Sequence, residues 1–340
     1  MTKKNLCITA AALILAGAAL FFTALARVGF DVRRFSGRTY GTEEISVEEP
    51  FSSIDAKLLD CSLSLNPNPL PDGKVRAVVT SAEDAPVTLT VERGVLTVSQ
   101  KDARPWNRRI GFFETGGASV ELYLPQDVLS DLHAESMSGD FRCNTTFPFG
   151  SAEVTTLSGE IFWILTSADE LKFKTTSGDV TVIGSSVRGG ITVNSTSGDV
   201  FLRDCGTESN LFVKTTSGDI EFKNVTASET LTLETVSGQF KTDVTNVGFA
   251  SLKSTSGDLL LGDLTVEGQC YIKTTSGDVH FLRADAGKFN IETVSGDVTG
   301  SLVGEKTSIR GSGSASNTAN TATPWSITTS SGYHHIYPAE

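Results

Sequence analysis

The side chains that could do chemistry in this chain are carboxylates held at one nearly constant interval. Asp140, Glu160, Asp179, Asp199, Asp219, Asp258, Asp278 and Asp297 occupy one position of a 19- or 20-residue period, with Gln239 as the single interruption. Carboxylates brought into line are the chemistry of a divalent-cation site, calcium above all, and Asp179, Asp199, Asp219, Asp258, Asp278 and Asp297 are the candidate ligands. The competing reading is structural: an Asp in a tight turn accepts hydrogen bonds from backbone N–H groups of its own turn. Carboxylates stacked about 4.8 Å apart repel by only ~1 kcal/mol in water. The structural reading is preferred, because the nine-residue calcium repeat of β-roll proteins is absent.

Two other sets could recognise a partner. Lys101, Arg104, Arg108 and Arg109 surround Trp106 in a chain of net charge −12. They suit an anionic wall polymer or lipid headgroups, although a basic loop is more often simply solvated. Phe162 and Phe201 fall on an outward position two repeats apart with Thr181 between them, and Leu260 and His280 follow in the same column. Exposed aromatics on a flat sheet dock a sugar or a protein, whereas single surface apolar residues are commonplace.

Signals for catalysis are absent. The chain has four histidines, no Gly-x-Ser-x-Gly and no metal-spaced cluster. His334 and His335 are neighbours on a predicted strand and point to opposite faces. A polysaccharide lyase or hydrolase needs paired carboxylates, or a base flanked by Arg or Lys, and here the carboxylates belong to a repeat column. No enzyme activity and no cofactor are expected, and the acidic balance argues against nucleic acid as a partner.

The elements that position these residues follow from the repeat. Each carboxylate follows the glycine of a Ser-Gly-Asp motif at Gly139, Gly159, Gly178, Gly198, Gly218, Gly238, Gly257, Gly277 and Gly296. A period that regular means a solenoid. Seven and five residues before the glycine every copy is apolar, from Leu132 and Ala134 to Phe289 and Ile291. Two after it the run is Phe141, Ile161, Val180, Val200, Ile220, Phe240, Leu259, Val279 and Val298. Each copy therefore reads as strand, tight corner, strand and looser turn. One copy cannot bury its own apolar face, and stacking buries it. The predicted fold is all-β, a single-domain β-solenoid resembling a parallel β-helix, with rungs of about 20 residues and a length of roughly 45 to 50 Å.

The corner has its own columns. Three before the glycine stands Ser or Thr in every copy, and directly before it Ser. Their hydroxyls are expected to bond rung to rung or to the corner backbone, and the glycine to supply a positive φ.

Along the chain, Lys3 and Lys4 precede an uncharged apolar stretch from Asn5 to Ala26. Residues 1–26 are a transmembrane anchor or a signal peptide. Ala24-Leu25-Ala26 fits a signal-peptidase site, but the length favours a retained helix. Residues 27–46 read as a polar tether and 47–130 as a degenerate β part capping the solenoid. Regular rungs occupy 131–307, and 308–340 hold an irregular stretch and a closing rung from Trp325 to Tyr337. A large domain after one N-terminal apolar segment is normally translocated. The expectation is a single-pass membrane protein with its C-terminal domain outside the cytoplasm, or else a secreted one. The five cysteines show no pairing pattern and read as buried small hydrophobes.

The run of KTTSGDV, NSTSGDV, KTTSGDI and ETVSGDV coils, after a strand ending in Leu122-Tyr123-Leu124-Pro125, resembles the bacterial LiaG-like putative adhesin family. The likeness extends from about Phe51 to Tyr337. It implies a β-solenoid at the cell surface or in the envelope, and it carries no catalytic residues. The expected role is a non-enzymatic, membrane-tethered interaction scaffold that contacts an envelope polymer, a glycan or a surface protein. A polysaccharide-acting β-helix enzyme and a purely structural spacer are the alternatives.

Overall fold

A computed structural model describes residues 39–69, 74–101, 117–125, 129–146, 148–303 and 325–338. The apolar segment 1–26, most of the tether, the basic loop with Arg104, Trp106, Arg108 and Arg109, and the irregular stretch before Trp325 lie outside these residues. Among the described residues the chain is all strand and turn, and no helix is long and apolar enough to cross a membrane.

The repeat folds into stacked rungs whose strands pair in parallel. The rung that starts at Gly178 shows its parts: Val180–Ile183, then Ser186–Val187, then Ile191–Asn194. Each pairs in register with its equivalent one rung on, as Val180↔Val200, Ser186↔Gly206 and Ile191↔Leu211. A rung thus has three strand segments and the rod three ladders, where the alternation of the sequence indicated two. We call the segment before the motif glycine the first face, the one after it the second and the short one the third.

The third face was hidden by its residue types. Its inward columns interleave Thr166, Ser185 and Thr245 with Cys205, Val225 and Leu264, and one step on Thr207 and Ala227 with Val187, Val247 and Val266, all buried. Columns so often interrupted by hydroxyl-bearing and small residues do not read as a continuous apolar stripe. The other two faces bury every predicted apolar position, and a cluster of large rings fills the early rungs. Trp163 lies 6.0, 5.3 and 5.4 Å from Phe141, Phe149 and Phe173.

The motif glycines are required for closeness of approach. None has a φ in the left-handed region, contrary to the sequence expectation. A Cβ on Gly218 would overlap the carbonyl oxygen of Gly198, and the same holds for each motif glycine against the rung before it. The neighbouring hydroxyls bond the corner: Thr156 donates to the Gly159 carbonyl at 2.7 Å, and the Gly218 N–H donates to Thr215 Oγ1 at 3.0 Å. Hydroxyl-to-hydroxyl steps also link rungs, as from Thr274 to Thr293 at 2.9 Å.

Left-handed backbone occurs instead at the second corner, between the second and third faces. There Leu165, Gly184, Asp204, Asn224, Val244, Asp263 and Arg283 form a column with φ between 44° and 64°. Only one is glycine. Asp204, Asn224 and Asp263 are of types that tolerate this region, whereas Leu165, Arg283 and above all the β-branched Val244 are strained there and held by stacking on their equivalents.

The N-terminal end is built out of sequence order. Its strands are β1 Tyr40–Val47, β2 Ser53–Lys57, β3 Cys61–Pro67, β4 Val75–Ala82, β5 Val87–Glu92, β6 Val95–Gln100 and β7 Ala118–Leu124. The first repeat rung follows as β8 Asp131–Ser136 and β9 Phe141–Asn144. β2 lies between β6 and β8, and β3 between β7 and β9, all in parallel. The chain thus lays down an inner level first, then the outer one, then the repeat. β5 pairs antiparallel with β6, and β1 and β4 continue antiparallel beyond β7. At the other end Trp325–Thr329 stacks on Phe289–Thr293, and His334–Pro338 on Val298–Leu302.

Candidate ligand-binding face

The acidic column is a backbone ladder. Asp199 N–H donates to Asp179 Oδ1 at 2.8 Å, Asp219 N–H to Asp199 Oδ1 at 2.8 Å, and Asp278 N–H to Asp258 Oδ1 at 2.9 Å. Asp297 accepts from Tyr333 in the closing rung at 2.8 Å. Each aspartate of the column therefore serves the next rung, where the sequence placed its bonds within its own turn. The side chain reaches along the stack because the following rung presents an N–H at the same corner. Among the described residues no group of three or more His, Cys, Asp or Glu side chains is placed to hold a metal ion.

The thiols are similarly occupied by the core. Cys61, Cys143, Cys205 and Cys270 are free and buried. Burial pushes the Cys61 and Cys270 thiols up to about 12 and that of Cys143 to about 11, which leaves them protonated and unreactive. The first face carries exposed ion pairs between rungs. Lys214 and Lys253 flank Glu234 at 3.0 and 3.6 Å and hold its carboxyl below the usual range, the Lys214 hydrogen bond foremost. His133 faces Glu135 and Glu153, and His280 meets Thr299, so these two histidines stand on different faces.

Departures from the pattern gather on the outward side of the second face near the N-terminal end. Stacked through Asn66↔Tyr123, Ser64↔Arg142, Arg142↔Phe162, Phe162↔Thr181 and Thr181↔Phe201, two columns of side chains run along the rod. One holds Glu121, Ser64, Arg142, Phe162, Thr181 and Phe201. The other holds Tyr123, Asn66, Asn144, Ile164, Ile183 and Arg203. Phe162 and Phe201 are half-buried and stand two rungs apart, with Thr181 on the rung between them. The Arg203 guanidinium lies 5.6 Å from the Phe201 ring centroid and holds it in place.

Between Tyr123 and Ile164 the surface is concave, with a groove of about 420 Å³ lined by Ser64, Asn66, Glu121, Tyr123, Arg142, Asn144, Phe162 and Ile164. Its charges are internally met. Tyr123 donates its hydroxyl to Glu121 at 2.7 Å, a bond that raises the phenol's pKa, and Arg142 pairs with Asp140 at 3.2 Å. The Ser64 hydroxyl and the amides of Asn66 and Asn144 have no partner among the described residues. Past Phe201 the columns turn to paired charge, with Lys241 on Glu221 at 3.0 Å and Lys223 near Asp243 at 3.9 Å.

Sequence reasoning located Phe162 and Phe201 and missed their neighbours. Tyr123, Ser64 and Asn66 come from β7 and β3, which lack the motif and stack out of order, so no column alignment could place them. Arg142, Asn144 and Ile164 lay in aligned copies, three and five residues after the glycine, and that offset was the available signal.

The Toastrack DUF4097 family profile matches residues 72–250 and 190–336. No curated protein matches the chain. Among solved structures, a putative adhesin from Parabacteroides merdae is 14% identical, over 90% of this chain and 98% of that one, with a TM-score of 0.44. A putative lipid binding protein from Parabacteroides distasonis is 17% identical over 88% and 98%, with a TM-score of 0.40. A putative cell adhesion protein from Clostridium sporogenes is 10% identical over 89% and 100%, with a TM-score of 0.22. At these scores the likenesses say nothing of function.

Proposed function

The chain belongs to the Toastrack DUF4097 family, and on that premise we propose that it is a non-enzymatic, adhesin-like interaction scaffold of the cell envelope. The observation that carries this reading is how the repeat uses its reactive groups. Carboxylates and hydroxyls of the corner bond the stacked backbone, and the thiols sit protonated in the core. What remains for contact is surface, and the groove on the second face has the aromatic and amide groups that contact requires.

The apolar segment from Asn5 to Ala26 supports a tether to the membrane with the rod on the extracytoplasmic side. A rod fixed at one end holds its surface away from the bilayer. Envelope material is then within reach of the second face, and the basic loop at Arg104, Trp106, Arg108 and Arg109 is a further proposed contact.

The test is retention. The full chain, immobilised in detergent, is exposed to solubilised envelope fractions and washed at moderate salt. Specific retention of an envelope component without its turnover supports a scaffold. Retention of nothing leaves a stiff spacer, and release of cleaved glycan makes the protein an enzyme. Mass spectrometry of the mature N-terminus tests the tether, since a protein that starts at residue 27 is secreted.

A further inference from the structure

The groove on the second face has a shape and chemistry that narrow its ligand. From the two columns we infer that this face binds an uncharged, extended, β-linked polysaccharide that lies along the rod axis. The inference rests on the scaffold reading and names its ligand class.

Four observations lead there. The first is periodicity: the strands from β7 to Val200–Thr207 present outward side chains once per rung, about 4.8 Å apart, so Phe162 and Phe201 stand about 10 Å apart. A linear polymer of like units matches a surface of like steps, and alternate sugars of an extended β-linked chain turn the same face to a flat support. The second is stacking. Half-buried rings offer the apolar face that the C–H side of a pyranose covers, and Arg203 already fixes one of them.

The third is unspent hydrogen bonding. Ser64, Asn66 and Asn144 face the groove without partners among the described residues. Hydroxyl and carboxamide groups supply both donors and acceptors, which is what sugar hydroxyls need. The fourth is charge: Glu121 and Arg142 are already engaged by Tyr123 and Asp140. Arg203, stacked on Phe201, also lies 3.9 Å from Asp204, so every charge of the two columns has a counter-charge or donor beside it and neither a polyanion nor a polycation is favoured. The paired charges beyond Phe201 close the site at about five rung steps, roughly 24 Å.

The volume fits as well. A groove of about 420 Å³ lined as far as Phe162 and Ile164 falls within the range of ordinary small-ligand sites, and the outward columns carry on from it to Phe201.

The experiment is calorimetric titration of the full chain in detergent with two neutral hexasaccharides, cellohexaose and chitohexaose, and with polygalacturonate as the charged comparison. Saturable binding of at least one neutral hexasaccharide is expected, with little dependence on salt. Phe162→Leu keeps an apolar side chain at this half-buried position and removes the ring, so it should weaken binding about tenfold, and Phe162→Tyr should retain it. Asn66→Ala and Asn144→Ala should each cost several-fold. Thr299→Ala, on the same face outside the patch, should change nothing.

Failure of both neutral sugars to bind, binding indifferent to Phe162→Leu, or tighter salt-sensitive binding of polygalacturonate would each overturn the inference. The envelope retention assay separates the two readings. If an envelope component is retained equally by wild type and Phe162→Leu, the scaffold stands and the glycan assignment falls. If nothing is retained and no sugar binds, both fall.

Discussion

Substituting Gly218 tests why the motif glycine is there. A Cβ at this position would overlap the Gly198 carbonyl oxygen, and its φ lies outside the left-handed region. Relief requires that two rungs separate at the corner. Two inter-rung bonds there are then weakened, Ser217 N–H to the Thr196 carbonyl at 2.9 Å and Asp219 N–H to Asp199 Oδ1 at 2.8 Å. At about 1 kcal/mol each, added to about 1–3 kcal/mol for overpacking, Gly218→Ala should cost about 3–5 kcal/mol. Gly184 is the contrast, with φ +64° and a Cβ that would meet only the movable Leu165 Cδ2 at 2.7 Å. Gly184→Ala should cost about 1–2 kcal/mol from backbone strain. Asn distinguishes the two causes, since it tolerates left-handed backbone but still carries a Cβ. Gly184→Asn should be nearly neutral, and Gly218→Asn should cost as much as Gly218→Ala. Stacked rungs need not unfold as one unit, so the assay is native-state hydrogen exchange on peptides that cover the two corners. Protection within about 1 kcal/mol of wild type in Gly218→Asn would refute the close-approach account.

Other expected outcomes follow from the same geometry. Thr215→Val removes the acceptor of the Gly218 N–H in a buried corner and should cost about 1–3 kcal/mol, read by the same exchange measurement. Val244→Asn should raise stability by about 1 kcal/mol in urea titration, because Val244 holds φ 55° at an exposed site. Burial raises the Cys61, Cys143 and Cys270 pKa values from 9.0 to about 12, 11 and 12. Their folded values exceed the unfolded ones, so the stability they contribute is intact below about pH 9 and lost as pH rises toward 11 to 12. Urea midpoints should be level up to about pH 9 and then fall, and Cys270→Ala should flatten part of that decline. Trp163→Phe should cost about 1–2 kcal/mol by urea titration, less than the about 3–5 kcal/mol of Trp163→Ala, because the buried indole N–H has no hydrogen-bond partner to lose.

How much of this was legible in the residues differs by element. The first and second faces were readable because Leu171, Phe173, Val180 and Val182 alternate with exposed positions, and alternation is a local property of a strand. The third face was not, since Thr166, Ser185 and Cys205 are buried by their neighbours in the stack and not by their own hydrophobicity. The acidic column was visible as a line, yet the partner of each carboxylate is an N–H about 20 residues away. Half of the candidate face was visible in Phe162 and Phe201. The other half depends on Tyr123 and Asn66, which adjoin only because β7 and β3 stack out of order.

By itself, then, the amino-acid sequence determined a stacked coil with a fixed corner, because nineteen- and twenty-residue spacing and inward apolar columns admit no other economical burial. Only the tertiary structure decided what the corner residues do. The glycine's need is set by the carbonyl of the rung before it, the aspartate's by the N–H of the rung after it, and the left-handed backbone of Leu165, Val244 and Arg283 by stacking against its equivalents. Each of these is a relation between rungs, and a period in the sequence records that the rungs are alike without recording how closely they lie.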